Sequence, residues 1–388
     1  MILVLFACTV EGGPGELQTT DYGWVLPFGG PNTDEGWGIH HLEGGDLLVA
    51  THQGAPRPLP DLYLYRLSAE GEVIWESHSG DQDAELAYVI TESNGVIYLG
   101  GHVYNGLRTE SSDALVMAVD LETGIPLWSW VRDVEGGYEE IDGIVVEDGS
   151  VFVSGWATTA AAGQEVLLAR LSLDGAEQWL NTWGSPGWDE ANGHLVSDGE
   201  SLYLGGLTEG TGWMSGGDPL VASFRKSDGS LRWQTRLADD VALWDDMLGL
   251  TLFDGQLYGV GARTGSGFNL LLWKLDTEGN LVWEQELLEQ GAQVGRAITG
   301  GPSEVFVAYN TDGQGEGGTD MRVIRVDPED GSQEEVALIG GAKDEEVHDL
   351  TVTADRLYLV GQSSSIGAGN EDAVVLQLDP TAVYRGPF

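Results

Sequence analysis

The sequence predicts an all-β chain, a seven-bladed β-propeller of four-stranded antiparallel blades whose last blade is closed by the N- and C-terminal strands. Three observations carry this expectation. A tryptophan recurs about every 50 residues, each recurrence is embedded in a strand–turn–strand pattern, and the two ends of the chain supply complementary halves of one unit. The composition agrees: 58 glycines, 14 tryptophans and 12 tyrosines in 388 residues suit strands and tight turns, and helical periodicity of useful length is absent.

Trp24, Trp75, Trp128, Trp179, Trp233 and Trp283 are spaced 51, 53, 51, 54 and 50 residues apart, and Val336 occupies a seventh position 53 further on. Each lies at the end of a pattern such as LYRLSAEGEVIW or LWKLDTEGNLVW, an apolar strand, a glycine-containing turn and a second strand. The other half of the unit recurs as NGVIYLGG, GSVFVSG, ESLYLGG and DRLYLVG. In the fourth blade, counted from the chain start, this places strand A at Ala191–Val196, B at Ser201–Gly206, C at Asp218–Phe224 and D at Ser230–Leu237. Asp372–Leu378 reads as a C strand with no D strand after it, and Gly23–Phe28 as a D strand with no C strand before it. Joining them gives the seventh blade and removes the open edges of the ring.

Residues 23–388 are thus expected to form a single propeller domain. Ahead of it, residues 9–22 (TVEGGPGELQTTDY) read as a tether, and residues 1–8 as a truncated lipoprotein signal segment. The run Leu5-Phe6-Ala7-Cys8 resembles a bacterial lipobox, which implies lipidation at Cys8 and an exported protein, anchored in the outer membrane or displayed at the cell surface. Cys8 is the only cysteine, so neither an intrachain disulfide nor a cysteine-rich zinc site can form. A formal charge of −46 repels phosphate backbones and anionic headgroups; this argues against nucleic-acid partners, confines membrane contact to a lipid anchor and favours a monomer.

The unit Leu167–Thr208 (LLARLSLDGAEQWLNTWGSPGWDEANGHLVSDGESLYLGGLT) resembles the bacterial SBBP-type β-propeller repeat family, which implies an exported repeat protein without assigned chemistry. Turns such as VDLETGIPLW also resemble PQQ-type propeller repeats. Within that second group, quinoprotein dehydrogenases typically have eight blades, a bound calcium and often an adjacent cysteine pair. The count of seven and the lone cysteine speak against a redox enzyme, whereas non-catalytic lipoprotein propellers of the same group remain compatible.

Counting back 13 residues from the apolar or aromatic position in strand B gives Glu35, Glu85, Glu139, Glu190, Asp245 and Glu345, with Gln293 in the sixth blade. These acids are expected to encircle the channel mouth. They either accept hydrogen bonds from turn amides and lock blade to blade, or form a ring of hard oxygen ligands suited to Ca2+. A second Ca2+ candidate is the sixth blade's B–C loop, with Asn310, Asp312, Gln314, Glu316 and Asp320; it resembles the start of an EF-hand loop, but Met321 stands where the bidentate glutamate belongs. The seven histidines form no repeated stack and no HExxH motif, and no nucleophile elbow or P-loop occurs.

Trp37, Trp156, Trp188, Trp213 and Trp244 fall outside the repeat, on or beside the D–A and B–C loops of one face. Aromatics mixed with acids compose a binding face for a protein or a polysaccharide. The expected function is therefore a non-catalytic binding scaffold for an envelope or extracellular partner. The alternative is a glycan hydrolase or lyase using two carboxylates of the acidic ring. Arg108 and Arg263 are the basic residues on that face which such an enzyme would recruit.

Overall fold

The computed structural model describes all residues except 1–12, 21–22, 55–59, 80–83, 105–110, 161–162, 210–215, 238–243, 265–266, 316 and 388. Seven antiparallel sheets surround a central channel. Their innermost strands are Asp34–His41, Ala84–Ser93, Glu139–Glu147, the pair Asp189–Glu190 and Val196–Ser197, Asp245–Phe253, Gln293–Gly300 and Glu345–Val352. Blades are numbered 1 to 7 in that order. In blade 4 the outer strands run Ser201–Thr208, Asp218–Arg225 and Leu231–Arg236, close to the expected B, C and D strands, whereas strand A is interrupted.

Blade 7 is stitched from both ends, as expected. Gly23–Gly29 pairs antiparallel with Asp372–Leu378, which continues through Leu357–Ser363 to Glu345–Val352. The stretch expected to be a tether adds strands in its described part: Gly13–Pro14 and Gln18–Thr20 both pair with Gly23–Gly29. At the other end, Tyr384–Gly386 runs parallel to the outer strand Gln333–Ile339 of blade 6. The outer edges of these two blades are thereby covered, which protects the closure from edge pairing.

The repeated tryptophans join neighbouring blades. The indole N–H groups of Trp24, Trp75, Trp128 and Trp233 donate to the carbonyls of Ala69, Leu121, Leu173 and Thr277 at 3.2, 3.1, 2.9 and 3.1 Å, each in the C–D turn of the next blade. The turn glycine has a second reason to be glycine. Gly175 has φ 83°, and a Cβ there would come within 2.8 Å of the Trp128 ring. Between blades lie apolar clusters such as Phe152, Leu168, Leu204 and Phe224, all at most 2% exposed. Each such side chain contributes roughly 2 kcal/mol of burial free energy.

Candidate functional site

Every inner strand except the interrupted one of blade 4 shows a register shift at the same place, and blade 4 carries its irregularity there too. The bulged residues are Trp37, Tyr88, Asp142, Leu248, Arg296 and His348, with Asn192 in the equivalent position of blade 4. A bulge leaves one residue outside the ladder and re-aims its side chain. Here all seven line one central cavity of about 260 Å3, together with Glu140, His194 and Asp349. Five residues further along the chain from each strand's first acid or amide, or six in blade 4, an apolar set follows: Ile39, Ile90, Ile144, Leu195, Leu250, Ile298 and Leu350. It lines a second cavity beyond the polar chamber. The chamber is therefore polar on the side of the D–A and B–C loops and closed by aliphatic side chains on the other.

The bulge column is unsymmetrical, and this gives the chamber two characters. Blades 7, 1 and 2 contribute aromatic rings. Trp37 stacks on His348 with centroids 4.1 Å apart and meets Tyr88 edge-on at 4.8 Å, while its indole N–H donates to Glu35 Oε2 at 2.9 Å. Burial, reinforced by Arg296, holds the His348 imidazole down to about 4, and burial holds His52 to about 3, so both are neutral at pH 7. Blade 3 contributes the acids Glu140 and Asp142 and blade 7 adds Asp349, while Glu190 of blade 4 and Asp246 of blade 5 stand outside the lining. Burial first, and then the adjacent Glu140 with which it shares a hydrogen bond, pushes Asp142 well above the ordinary carboxylate range. Burial also raises Glu190, whose carboxylate accepts from Asn192 Nδ2 at 3.0 Å. Asp246 is pushed up to about 7 by burial and then by Glu190. His102 Nδ1 lies 3.0 Å from Glu140 Oε2. Arg296, 3.9 Å from Glu346, is the one guanidinium lining the chamber among the described residues.

The acidic ring expected from the sequence resolves into two sets. Asp34, Glu85, Glu139, Asp189, Asp245 and Glu345, with Gln293, are the true equivalents, and none of them lines the chamber. Most are held by loop donors. Gly30 and Gly54 amides donate to Asp34 at 2.8 Å, Ser185 N and Oγ to Asp189 at 2.5 and 2.8 Å, and Gly341 N and Ser363 Oγ to Glu345 at 2.5 and 3.1 Å. Asp245 takes Arg263 Nε at 2.8 Å. Glu35 and Glu190 belong instead to a second set one residue further on, with Glu140, Asp246 and Glu346. Two local insertions cause the displacement. Blade 1 has a three-residue A–B loop, Glu43–Gly45, closed by Leu42 N to Asp46 O at 2.8 Å, whereas blades 2, 3 and 5 use two-residue turns such as Asn94-Gly95. Blade 4 carries an extra residue between Glu190 and Val196, which also brings His194 into the chamber. One residue of slip moves a side chain to the opposite side of its strand.

The described residues of the EF-hand-like loop are dispersed. Asn310 lies in strand Val305–Thr311, 5% exposed, and its side chain bonds the backbone of Val347 in blade 7. Asp312 Oδ1 accepts from Ala292 N at 2.5 Å, Asp320 is buried at the start of the next strand, Gln314 lies in the exposed loop between, and Glu316 lies outside the described residues. The off-repeat tryptophans separate similarly. Trp37 belongs to the chamber, Trp156 sits within strand Ser150–Thr159 opposite Glu140, and Trp213, like Arg108 and Cys8, lies outside the described residues. Trp188 and Trp244 do occupy the loop face. Each immediately precedes the first acid of its inner strand, and Tyr138 holds the same position in blade 3. The three carbonyls accept from the amides of Glu209, Thr264 and Thr158, each at 2.8 Å. Tyr138 and Trp244 are 39% and 37% exposed. An arc of aromatic side chains thus stands on blades 3, 4 and 5, whose inner strands also bear Glu140, Asp142, Glu190 and Asp246.

Fold and site define a seven-bladed propeller with an acidic, aromatic-rimmed central chamber. Residues 163–379, more than half of the chain, match the PQQ-type propeller-repeat family described as outer membrane protein assembly factor BamB, and the chain belongs to that family. This upholds the second of the two resemblances read from the repeats. The chain is similar in structure to the quinohemoprotein alcohol dehydrogenase of Comamonas testosteroni (11% identity, TM-score 0.54, covering 97% of this chain and 75% of that one). It is also similar to a quinohemoprotein alcohol dehydrogenase of Pseudomonas putida HK5 (13%, 0.52, 92% and 77%). A prolyl endopeptidase aligns at 16% identity and TM-score 0.54 over 92% of this chain, which spans about half (48%) of that enzyme. These likenesses establish the fold alone. No curated protein sequence matches the chain.

The quinone cofactor of such dehydrogenases is an anionic polycarboxylate, and the chamber does not fit it. Arg296 faces Glu140, Asp142 and Asp349 there, and His348 is neutral. A carboxylate-bearing quinone would add negative charge to an acidic set in which Arg296, already beside Glu346, is the guanidinium among the described lining residues.

Proposed function

We propose that this protein is an exported, lipid-anchored, non-catalytic propeller that docks an envelope or extracellular partner, a protein in preference to a polysaccharide, on its D–A and B–C loop face. The observation that carries this reading is the aromatic arc of Tyr138, Trp188 and Trp244 on blades 3, 4 and 5, whose inner strands also bear Glu140, Asp142, Glu190 and Asp246. Partly exposed rings held by backbone bonds at equivalent repeat positions give a rigid apolar anchor, and the acids beside them favour a partner segment bearing lysine or arginine. Membership in a family described by an outer membrane assembly factor supports a protein partner. The glycan-hydrolase reading is supported less. Asp245 and Glu345 are engaged beneath the loops, and Glu140 and Asp142 are hydrogen-bonded to each other instead of standing about 5 Å or more apart across a scissile bond.

Photo-crosslinking from position 138 in intact cells tests the face. A discrete protein adduct is expected, weakened about 30-fold or more by Trp188→Ala with Trp244→Ala, on the scale of about 2 kcal/mol for an interface anchor. Adducts unaffected by the double substitution would refute the assignment, and retention on a glycan array would replace the protein partner by a polysaccharide. Metabolic labelling with palmitate is expected to mark the full-length chain and to vanish in Cys8→Ala. Equal labelling of both would remove the anchor.

A further inference from the structure

We propose that a divalent cation, calcium by its ligand chemistry, is held between blades 2 and 3 by Asp113, Asp133 and Glu139. The site goes beyond the partner reading and does not depend on it. Asp113 opens the third strand of blade 2 (Asp113–Asp120), Asp133 follows its outer strand Pro126–Arg132, and Glu139 opens blade 3. One carboxylate oxygen from each lies within 4.8 Å of the others. That span is about twice a Ca–O distance of roughly 2.4 Å, so the three can sit around a single ion.

Glu139 supplies the independent reason to place a cation here. Its side chain is 0% exposed, and neither carboxylate oxygen has a hydrogen-bond partner. The Val134 and Glu135 amides point toward it and partly lower its pKa, but neither closes a well-formed bond. At the equivalent position Asp34 has two amide donors, Asp189 a serine, Asp245 an arginine, and Glu345 an amide and a hydroxyl. Gln293 carries no charge and donates to the carbonyls of Gln290 and Gly291 at 3.2 and 2.9 Å. The repeat thus compensates the buried acid where its donors are seen, whereas beside Glu139 it places two further acids. A buried carboxylate so surrounded is either protonated or paired with a metal, and burial followed by Asp133 and Asp113 accordingly pushes Glu139 up to about 7.

The ligands fit a hard cation. They are all oxygen, Asp133 is exposed so that water can complete the six to eight positions, and among the described residues no histidine or cysteine joins the set. Gly136 N donates to Asp133 Oδ1 at 2.5 Å and Glu139 N to Ser112 O at 3.0 Å, which fixes the connecting loop before any ion arrives.

The test is titration of the purified full-length protein with CaCl2 at 150 mM NaCl, by calorimetry and by melting temperature. One saturable site is expected, with Kd on the order of 10⁻⁴ M, the range of extracellular calcium modules. The melting temperature should rise with calcium. Glu139→Gln should melt no lower than wild type in EDTA yet lose the calcium response. Asp133→Asn, at an exposed position where folding is not at risk, should weaken binding at least tenfold. Wild-type responses in both variants would assign the effect to diffuse screening of the acidic surface and overturn the proposal, as would the absence of saturable binding at millimolar calcium.

Discussion

Arg263→Ala is expected to lower the unfolding free energy by about 3 kcal/mol, the low end of the cost of leaving one partner of a buried ion pair alone. Arg263 Nε donates to Asp245 Oδ2 at 2.8 Å, and the Asp245 side chain is only 3% exposed. The same guanidinium faces Glu286 at 3.2 Å and Glu284 at 3.7 Å, so its removal leaves three acids adjacent without it. Against a typical domain stability of roughly 5–15 kcal/mol this is a large fraction. Urea unfolding should show a lower midpoint at unchanged slope. Neutralising the stranded acid, in Arg263→Met with Asp245→Asn, should restore most of the loss, because both desolvated charges then disappear together. A single variant within about 0.5 kcal/mol of wild type, or a double variant as unstable as the single one, would show that packing and not charge holds this blade.

The basis for that residue's importance was only partly legible in the sequence. The tryptophan spacing defined seven units, and the complementary half-blades at Gly23–Phe28 and Asp372–Leu378 defined the closure; both features repeat with the period of the fold, so counting suffices. The acids failed by one residue in two blades. Counting from strand B assumes equal A–B connections, whereas the three-residue loop of blade 1 and the extra inner-strand residue of blade 4 each shift the frame. Glu35 and Glu190 were thus grouped with acids that do different work. The chamber itself went unseen. Trp37, Tyr88, Asp142, Asn192, Leu248, Arg296 and His348 repeat no residue type, and only their place three residues after the first acid or amide of each inner strand unites all seven. A column that varies in every repeat is invisible to a search for sameness, yet variation at a fixed structural position is the pattern expected of a site carried on a symmetrical scaffold. Asn310 shows the converse. Its side chain serves the backbone of the next blade, a long-range contact that no local motif encodes.

Stability is expected to fall as pH rises from 6 to 8, the reverse of the usual response of a protein rich in carboxylates. Burial raises Asp34 to about 6 and Glu139 and Asp246 to about 7, against about 4 in the unfolded chain, and it raises Asp142, Glu190, Glu346 and Asp349 as well. A group whose folded pKa lies above its unfolded value binds more protons in the folded state across that interval. Unfolding then releases protons, so ΔG of unfolding declines with rising pH until the folded pKa is passed. The buried histidines act in the other direction but in a lower window. His52 and His348, depressed to about 3 and about 4, withdraw stability as pH falls below about 6.5 and are silent above it. Near pH 7 the acids therefore decide the slope. Urea midpoints at pH 6, 7 and 8, at constant ionic strength and in EDTA so that no metal holds Glu139 charged, measure it directly. Asp246→Asn keeps the shape of the side chain and removes its titration. It should flatten the profile and gain about 1–2 kcal/mol over wild type at pH 8. A wild-type midpoint that climbs between pH 6 and 8, or an Asp246→Asn profile parallel to it, would mean that solvent reaches these carboxylates and that burial does not hold them protonated.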